Sequence, residues 1–231
     1  MDNTDPAAAV TSTFAWDNDG SVTIDYEVSD GGSGINTCTL TLSDGQTADC
    51  SGGDGSASFD MDDGSGYTAS ISLTDVAGNS ADGASSDTFG VDTVNPSVSV
   101  SGPDSPSASA DADMTVTSSD ATSGLASTTC TVDDEAANCD DDLTSLGDGS
   151  HTMSATATDN AGNTATASYT WVVDTTGPST SISNGPGGAS SDGWTADNDA
   201  DTFTFSGDDG SGVGGMSFEC SVNGGAYADC T

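Results

Sequence analysis

The chain repeats itself, and a repeat of this length leaves few folds open. Asp92-Thr-Val-Asn-Pro96 returns as Asp174-Thr-Thr-Gly-Pro178, and more loosely as Asn3-Thr4-Asp5-Pro6. Asp30-Gly-Gly-Ser-Gly34 returns as Asp120-Ala-Thr-Ser-Gly124 and as Asp208-Asp-Gly-Ser-Gly212. Asp75-Val-Ala-Gly-Asn79 returns as Asp159-Asn-Ala-Gly-Asn163, and a cysteine pair follows each Ser-Gly. These marks keep their order. They divide the sequence into repeats at 1–91 and 92–173 and the first part of a third at 174–231.

Within the repeats, apolar residues alternate with polar ones. Val22, Ile24, Tyr26 and Val28 do so, as do Tyr67, Ala69, Ile71 and Leu73, and Met216, Phe218, Cys220 and Val222. Period two is that of a half-buried strand, and no stretch carries a helical period. In the second repeat the pattern predicts strands at 97–101, 114–118, 151–158 and 165–173. A Cys-bearing hairpin is expected over 126–140, with turns at 120–124 and 159–163. Short strands joined by Gly/Asp turns at this spacing predict an all-β chain of tandem immunoglobulin-like β-sandwiches.

Charge then removes whole classes of function. The 231 residues hold no Lys or Arg against 38 acidic side chains, a formal charge of -38, and all the acids but Glu27, Glu135 and Glu219 are aspartate. Nothing here neutralises phosphates, so nucleic acid is excluded as a partner, and an anionic membrane surface repels the chain. Walker loops, Schiff bases and Lys–Asn crosslinks all need a lysine. No apolar stretch is long enough to span a bilayer, and the residues after Met1 do not read as a secretory leader. Such acidity otherwise points to disorder, but the strand patterning overrides it. An acidic surface also suits a high-salt habitat, where self-repulsion is screened.

Four segments carry a family resemblance: Leu146-Gly-Asp-Gly-Ser-His-Thr152, Asp159-Asn-Ala-Gly-Asn163, Trp171-Val-Val-Asp-Thr-Thr176 and Ser217 through Cys230. They resemble the bacterial Ig-like repeats of very large surface proteins. The resemblance covers nearly the whole chain and is strongest over 140–231. It implies a spacer, stalk or adhesin module outside the cell or on its surface, with no catalysis. The loss of every basic residue departs from such repeats, and so does the third repeat, which lacks its last three strands. The sequence therefore reads as a segment of a longer array.

Six cysteines permit 15 pairings. In the second repeat a turn centred between Asp134 and Glu135 sets Cys130 opposite Cys139; in the third, Asn223-Gly224-Gly225 lies midway between Cys220 and Cys230. The first repeat fits with a one-residue offset around Asp44-Gly45. Three local disulfides, Cys38–Cys50, Cys130–Cys139 and Cys220–Cys230, are expected, with small buried thiols as the alternative; both evenly paired cysteines and disulfides belong to an oxidising, extracytoplasmic compartment. Zinc spacing such as CxxC is missing.

In a sandwich of this kind the start of the first strand, the second-to-third strand loop and the last hairpin loop share one end. That end gathers Asp5, Asp30, Asp75 and Asn79 in the first repeat, and Asp92, Asp120, Asp159 and Asn163 in the second. Asp174 and Asp208 are the third-repeat counterparts. Carboxylates massed without Lys or Arg must repel, be protonated or share a cation. Calcium, which takes six to eight oxygens in irregular geometry, is the expected ion; it would stiffen the junctions, which without it should be flexible hinges. The competing reading is that Asp and Asn simply begin turns here. Asp60–Asp63, Asp140–Asp142 and Asp197–Asp201 read as solvated surface.

Catalysis finds little footing. His151 is the lone imidazole and aligns with Tyr67, so it reads as a space-filler at a strand start. Trp171 aligns with Phe89 and reads as core, whereas Trp16 and Trp194 leave packing and sugar stacking both open. There is no GxSxG motif, and carboxylate pairs chosen from 38 acids carry no information. The expectation is a non-enzymatic stalk or filament whose partners are neighbouring repeats or subunits of the same protein. Spacer repeats of an adhesin, or an accessory module of a secreted hydrolase, are the alternatives.

Overall fold

The computed structural model describes residues 2–140, 142–184, 204–211, 215–221 and 224–230. Asp141, Trp194, Asp197–Asp201, Val222 and Asn223, singled out above, lie outside the described residues. By internal contacts the chain forms two compact units, one of residues 1–99, 117–129 and 155–167, the other of residues 100–116, 130–154 and 168–231. Each sheet takes its strands from within one of the stretches 7–91, 97–173 and 179–229.

The first stretch holds β1 (Ala7–Val10), β2 (Trp16–Asp17), β3 (Ser21–Ser29), β4 (Ile35–Leu42) and β5 (Thr47–Asp49). It continues with β6 (Gly55–Asp60), β7 (Gly64–Tyr67), β8 (Ala69–Asp75), β9 (Ser80–Ser85) and β10 (Phe89–Val91). Sheets of order β1-β3-β6 and β5-β4-β8-β9 form the two layers, with β2-β10-β7 as a third, small sheet. β3 buries every second residue, as its alternation predicts. Val22, Ile24, Tyr26 and Val28 thereby meet Leu40 and Leu42 of β4, Ile71 and Leu73 of β8, and Phe89 and Val91 of β10. Each large aliphatic side chain so buried contributes about 1.5–3 kcal/mol. Trp16, half-buried, lies over β10: a Cβ at Gly90 would fall 2.3 Å from its ring, so only glycine lets the indole lie there.

The second stretch holds β11 (Ser97–Ser101), β12 (Thr115–Ser119), β13 (Leu125–Val132), β14 (Glu135–Ala137), β15 (Gly149–Asp159) and β16 (Thr164–Val173). β11 pairs with β12, and the other four form the sheet β14-β13-β15-β16. Met153, Ala155, Ala157, Trp171 and Val173 are its buried apolar residues, with Cys130 and Ala112. Residues 102–113, which carry no strand pattern, run back along this layer through a Ser107–Val173 bridge and an Ala112–Leu143 bridge. In the third stretch β17 (Ser179–Asn184) pairs with β18 (Thr204–Asp208), and β19 (Glu219–Cys220) with β20 (Ala228–Asp229). The strand expected over 216–222 is thus realised at Glu219 and Cys220, because β20 offers only two partners and Met216 stays 45% exposed.

All three local disulfides are present, with Cα–Cα separations of 4.9 Å for Cys38–Cys50, 5.2 Å for Cys130–Cys139 and 5.7 Å for Cys220–Cys230. The second hairpin turns one residue earlier than its cysteine spacing predicts. Asp133 and Asp134 both take positive φ, 50° and 68°, the signature of a two-residue type I′ turn. Cys130 therefore faces Ala137 and reaches Cys139 diagonally. In the third hairpin Cys220 faces Ala228, again two residues short of its partner.

Candidate cation sites in the acidic loops

Among the described residues two triads of aspartate form at the loop end: Asp2, Asp30 and Asp75, and Asp92, Asp120 and Asp159. In each, one carboxylate oxygen per residue lies within 4.8 Å of the others. The second triad joins three residues the sequence named together. In the first, Asp2 takes the place given to Asp5, which is exposed and outside the triad. The signal for Asp2 was in the sequence: Asp2, Asp92 and Asp174 each stand four residues before a proline, Pro6, Pro96 and Pro178.

The loops are built on one hydrogen-bond pattern in both repeats. Asp30 Oδ2 accepts from the Gly32 and Gly34 amides, and Asp120 Oδ1 from those of Thr122, Ser123 and Gly124. The Ser33 amide donates to Asp2 Oδ2 at 2.5 Å and the Ser123 amide to Asp92 Oδ2 at 3.0 Å. Gly34 and Gly124 take φ of +87° and +78°, which closes these turns without a Cβ penalty. Asp75 accepts from the Asn79 amide, as Asp159 does from those of Gly162 and Asn163.

Asn79 and Asn163 act as straps. Asn79 Nδ2 donates to Asp75 Oδ2 and to the carbonyls of Asp2 and Thr4. Asn163 Nδ2 donates to Asp159 Oδ2 at 2.9 Å and to the carbonyls of Asp92 and Val94 at 2.7 and 3.4 Å. Each amide thus ties the hairpin loop to the segment that opens its repeat. Asp174 caps the Thr176 amide, and Asp208 is exposed at the end of β18; neither joins a triad among the described residues.

Asp75, Asp92 and Asp159 are all but fully buried, at 1%, 0% and 1% exposure. Burial alone pushes the Asp75 carboxyl up. The Asn79 side chain and the amides of Asn79 and Gly78 more than offset it, so the group stays below the usual carboxylate range. Burial acts the same way on Asp120 and is overcome by the Gly124, Thr122 and Ser123 amides. At Asp2 the Thr4 and Ser33 amides depress the carboxyl. Asp2 and Asp75 in one triad and Asp120 in the other are thus held in the ionised form. Asp30 Oδ1 is buried with no hydrogen-bond donor, so turn formation leaves one acceptor unexplained. A hard cation is the group that such a donor set satisfies.

His151 is more than a space-filler. Its ring packs 5.7 Å from that of Trp171, as Tyr67 packs 5.9 Å from Phe89. His151 Nε2 lies 2.8 Å from the Gly147 carbonyl, where the Tyr67 hydroxyl donates to that of Asp62. The imidazole adds one contact: Nδ1 lies 2.7 Å from Asp133 Oδ2. Two acceptors, the Gly147 carbonyl first and the Asp133 carboxylate second, raise the affinity of the ring for its second proton. The Thr68 amide donates to Ser43 Oγ where the Thr152 amide donates to Asp133 Oδ1, so the second repeat alone has a carboxylate at this place to pair with the ring.

Residues 142–175 match the bacterial Ig-like domain family. Among solved structures, the chain is similar to the fibronectin(III)-like modules of CbhA from Clostridium thermocellum: 14% identity, covering 72% of this chain and 95% of that one, TM-score 0.39. It is also similar to a structure of a 1.5-MDa bacterial ice-binding adhesin, at 20% identity, 80% and 69% coverage and TM-score 0.44. A tetra-tandem repeat from the extending region of a large adhesion protein aligns at 20% identity, 78% and 52% coverage and TM-score 0.31. No curated protein matches. The chain is all-β and carries three disulfides, and its segment 142–175 resembles a bacterial Ig-like domain.

Proposed function

We propose that this chain is a non-catalytic, extracellular spacer, part of a stalk or filament, whose acidic loop ends bind calcium and stiffen each junction. The observation that carries the reading is the duplicated triad: the same three aspartates, the same strapping asparagine and, at Asp30, a buried oxygen without a donor. Asp2, Asp30 and Asp75 would hold one ion, and Asp92, Asp120 and Asp159 the next. Carboxylates suit calcium as hard oxygen donors. The ion would cancel repulsion that the chain, having no Lys or Arg, cannot cancel with its own side chains. Three disulfides support a location in an oxidising compartment, outside the cell or on its surface.

Thermal unfolding in fixed high sodium chloride, with millimolar calcium and then with excess chelator, tests this. Binding to the folded state alone raises the melting temperature, and a rise of roughly ten degrees or more is expected for two filled sites. No shift would leave the loops as turns only.

A further inference from the structure

Residues 92–94, the segment where β10 ends and the second repeat begins, have every amide and two carbonyls engaged by the protein itself. The Asp92 amide donates to the Asp17 carbonyl at 2.9 Å, extending the pairing of β10 with β2. The Thr93 amide and hydroxyl both donate to Asp63 Oδ1, each at 2.9 Å. The Val94 amide donates to Asp92 Oδ1, and Asn163 holds the carbonyls of Asp92 and Val94. The arrangement recurs one repeat later. The Asp174 amide donates to the Ser107 carbonyl at 2.8 Å. The Thr175 amide and hydroxyl donate to Asp148 Oδ1 at 2.8 and 2.7 Å, and the Thr176 hydroxyl to Asp148 Oδ2 at 2.6 Å. Asp63 and Asp148 each precede the glycine that opens the next strand, Gly64 of β7 and Gly149 of β15.

We propose that Asp63 and Asp148 are exit latches: positioning residues that clamp Thr93 and Thr175, and so fix the chain where it leaves each repeat without any cation. One carboxylate oxygen receiving both the amide and the hydroxyl of a threonine fixes that residue's backbone and its χ1 together. A rotation of the linker about Thr93 breaks both bonds at once. The latch does not rest on the calcium reading, because neither Asp63 nor Asp148 belongs to a triad. The latch fixes the point of exit in chelator as well, and the proposed calcium sites would stiffen the acidic loops beside it.

Amide hydrogen exchange of the full chain in excess chelator tests the latch, with Thr93 and Thr175 as reporters and Ile24 and Leu40 as core controls. In the wild type both threonine amides should be protected. Asp63→Ala should speed exchange at Thr93 roughly tenfold, as expected for losing a charge-assisted hydrogen bond, and leave Thr175 and the core unchanged. Asp148→Ala should do the reverse. If Asp63→Ala also loosens the core, Thr93→Val decides, since it deletes only the hydroxyl: about a two- to fivefold rise at residue 93 is then expected. Unprotected threonine amides in the wild type, or no change at residue 93 in either variant, would overturn the proposal. Because calcium is absent throughout, failure of the calcium reading leaves this result intact.

Discussion

The first and second repeats keep their loop ends alike and let their cores diverge. Ile71 and Leu73 of β8 stand where β15 has Ala155 and Ala157, and Phe89 where β16 has Trp171. The hydrogen bonds of the two aspartate loops, by contrast, follow one pattern, with a carbonyl pair at matching positions under each asparagine, and differ in a few extra amides on Asp120 and Asp159. A core needs volume, and one indole can replace part of two branched aliphatics. A triad of carboxylates tolerates no such exchange, because each oxygen must sit within reach of the others. The difference that remains at the loop end is burial. Asp2 is half-buried, whereas Asp92 is fully buried, since its amide continues the sheet behind it.

The largest effect that could break this comparison lies in the cores. Ile71→Ala brings the first repeat to the composition of the second and should cost about 2–5 kcal/mol in chemical unfolding. The reverse change, Ala155→Ile, should not stabilise but cost about 1–3 kcal/mol, because Ala155 is fully buried and a larger side chain there must displace its neighbours. A gain instead would show that the second core is underpacked. Next come the disulfides. Replacing both Cys130 and Cys139 by Ser should remove about 2–3 kcal/mol by lengthening the unfolded-state loop, read from the denaturant midpoint of the second repeat.

The straps come third. Asn163→Ala and Asn79→Ala each leave buried loop oxygens without a donor and should cost about 1–3 kcal/mol. The change at Asn163 should be the larger, because Asp92 is more buried than Asp2; equal losses would mean that burial of the opening aspartate is irrelevant to the loop. The smallest effect separates the two repeats by pH. The His151 ring binds its second proton more tightly when folded, so its pairing with Asp133 stabilises fully below about pH 6.5 and is lost as pH rises through the raised folded value. Asp133 is 46% exposed on its side chain, so water screens the pair and the loss should stay under about 1 kcal/mol. Exchange rates in β15 followed across that pH range should show it, and His151→Tyr, which restores the first repeat's residue, should abolish it.

The fold was legible because strand alternation and repeated turn motifs are local signals. Ser97–Ser101 sits where its alternation places it, and each cysteine bonds the partner that its spacing predicts. What was not legible depended on φ or on pairing. The two consecutive positive-φ aspartates moved the second hairpin by one residue, and nothing in Asp133-Asp134 distinguishes them from other acidic turns. Residues 102–113 bury little and alternate weakly, so their return along the layer shows only once Val173 is in place. Asp2 was hidden differently: Asp5 adjoins the proline and draws the eye, while the working spacing is four residues.

The parallel pairing of Trp16 and Asp17 with Gly90 and Val91 has a mechanical meaning. β1 precedes β2 and β10 leads out of the first sandwich, so tension transmitted past β1 pulls the adjacent parallel β2 and β10 in opposite directions. Their hydrogen bonds, including Gly90 to Ala15 and Asp92 to Asp17, are then loaded together in shear and cannot be peeled open one after another. The same geometry returns where Ser107 receives from Asp174 and donates to Val172. Both pairings lie where the chain leaves its repeat.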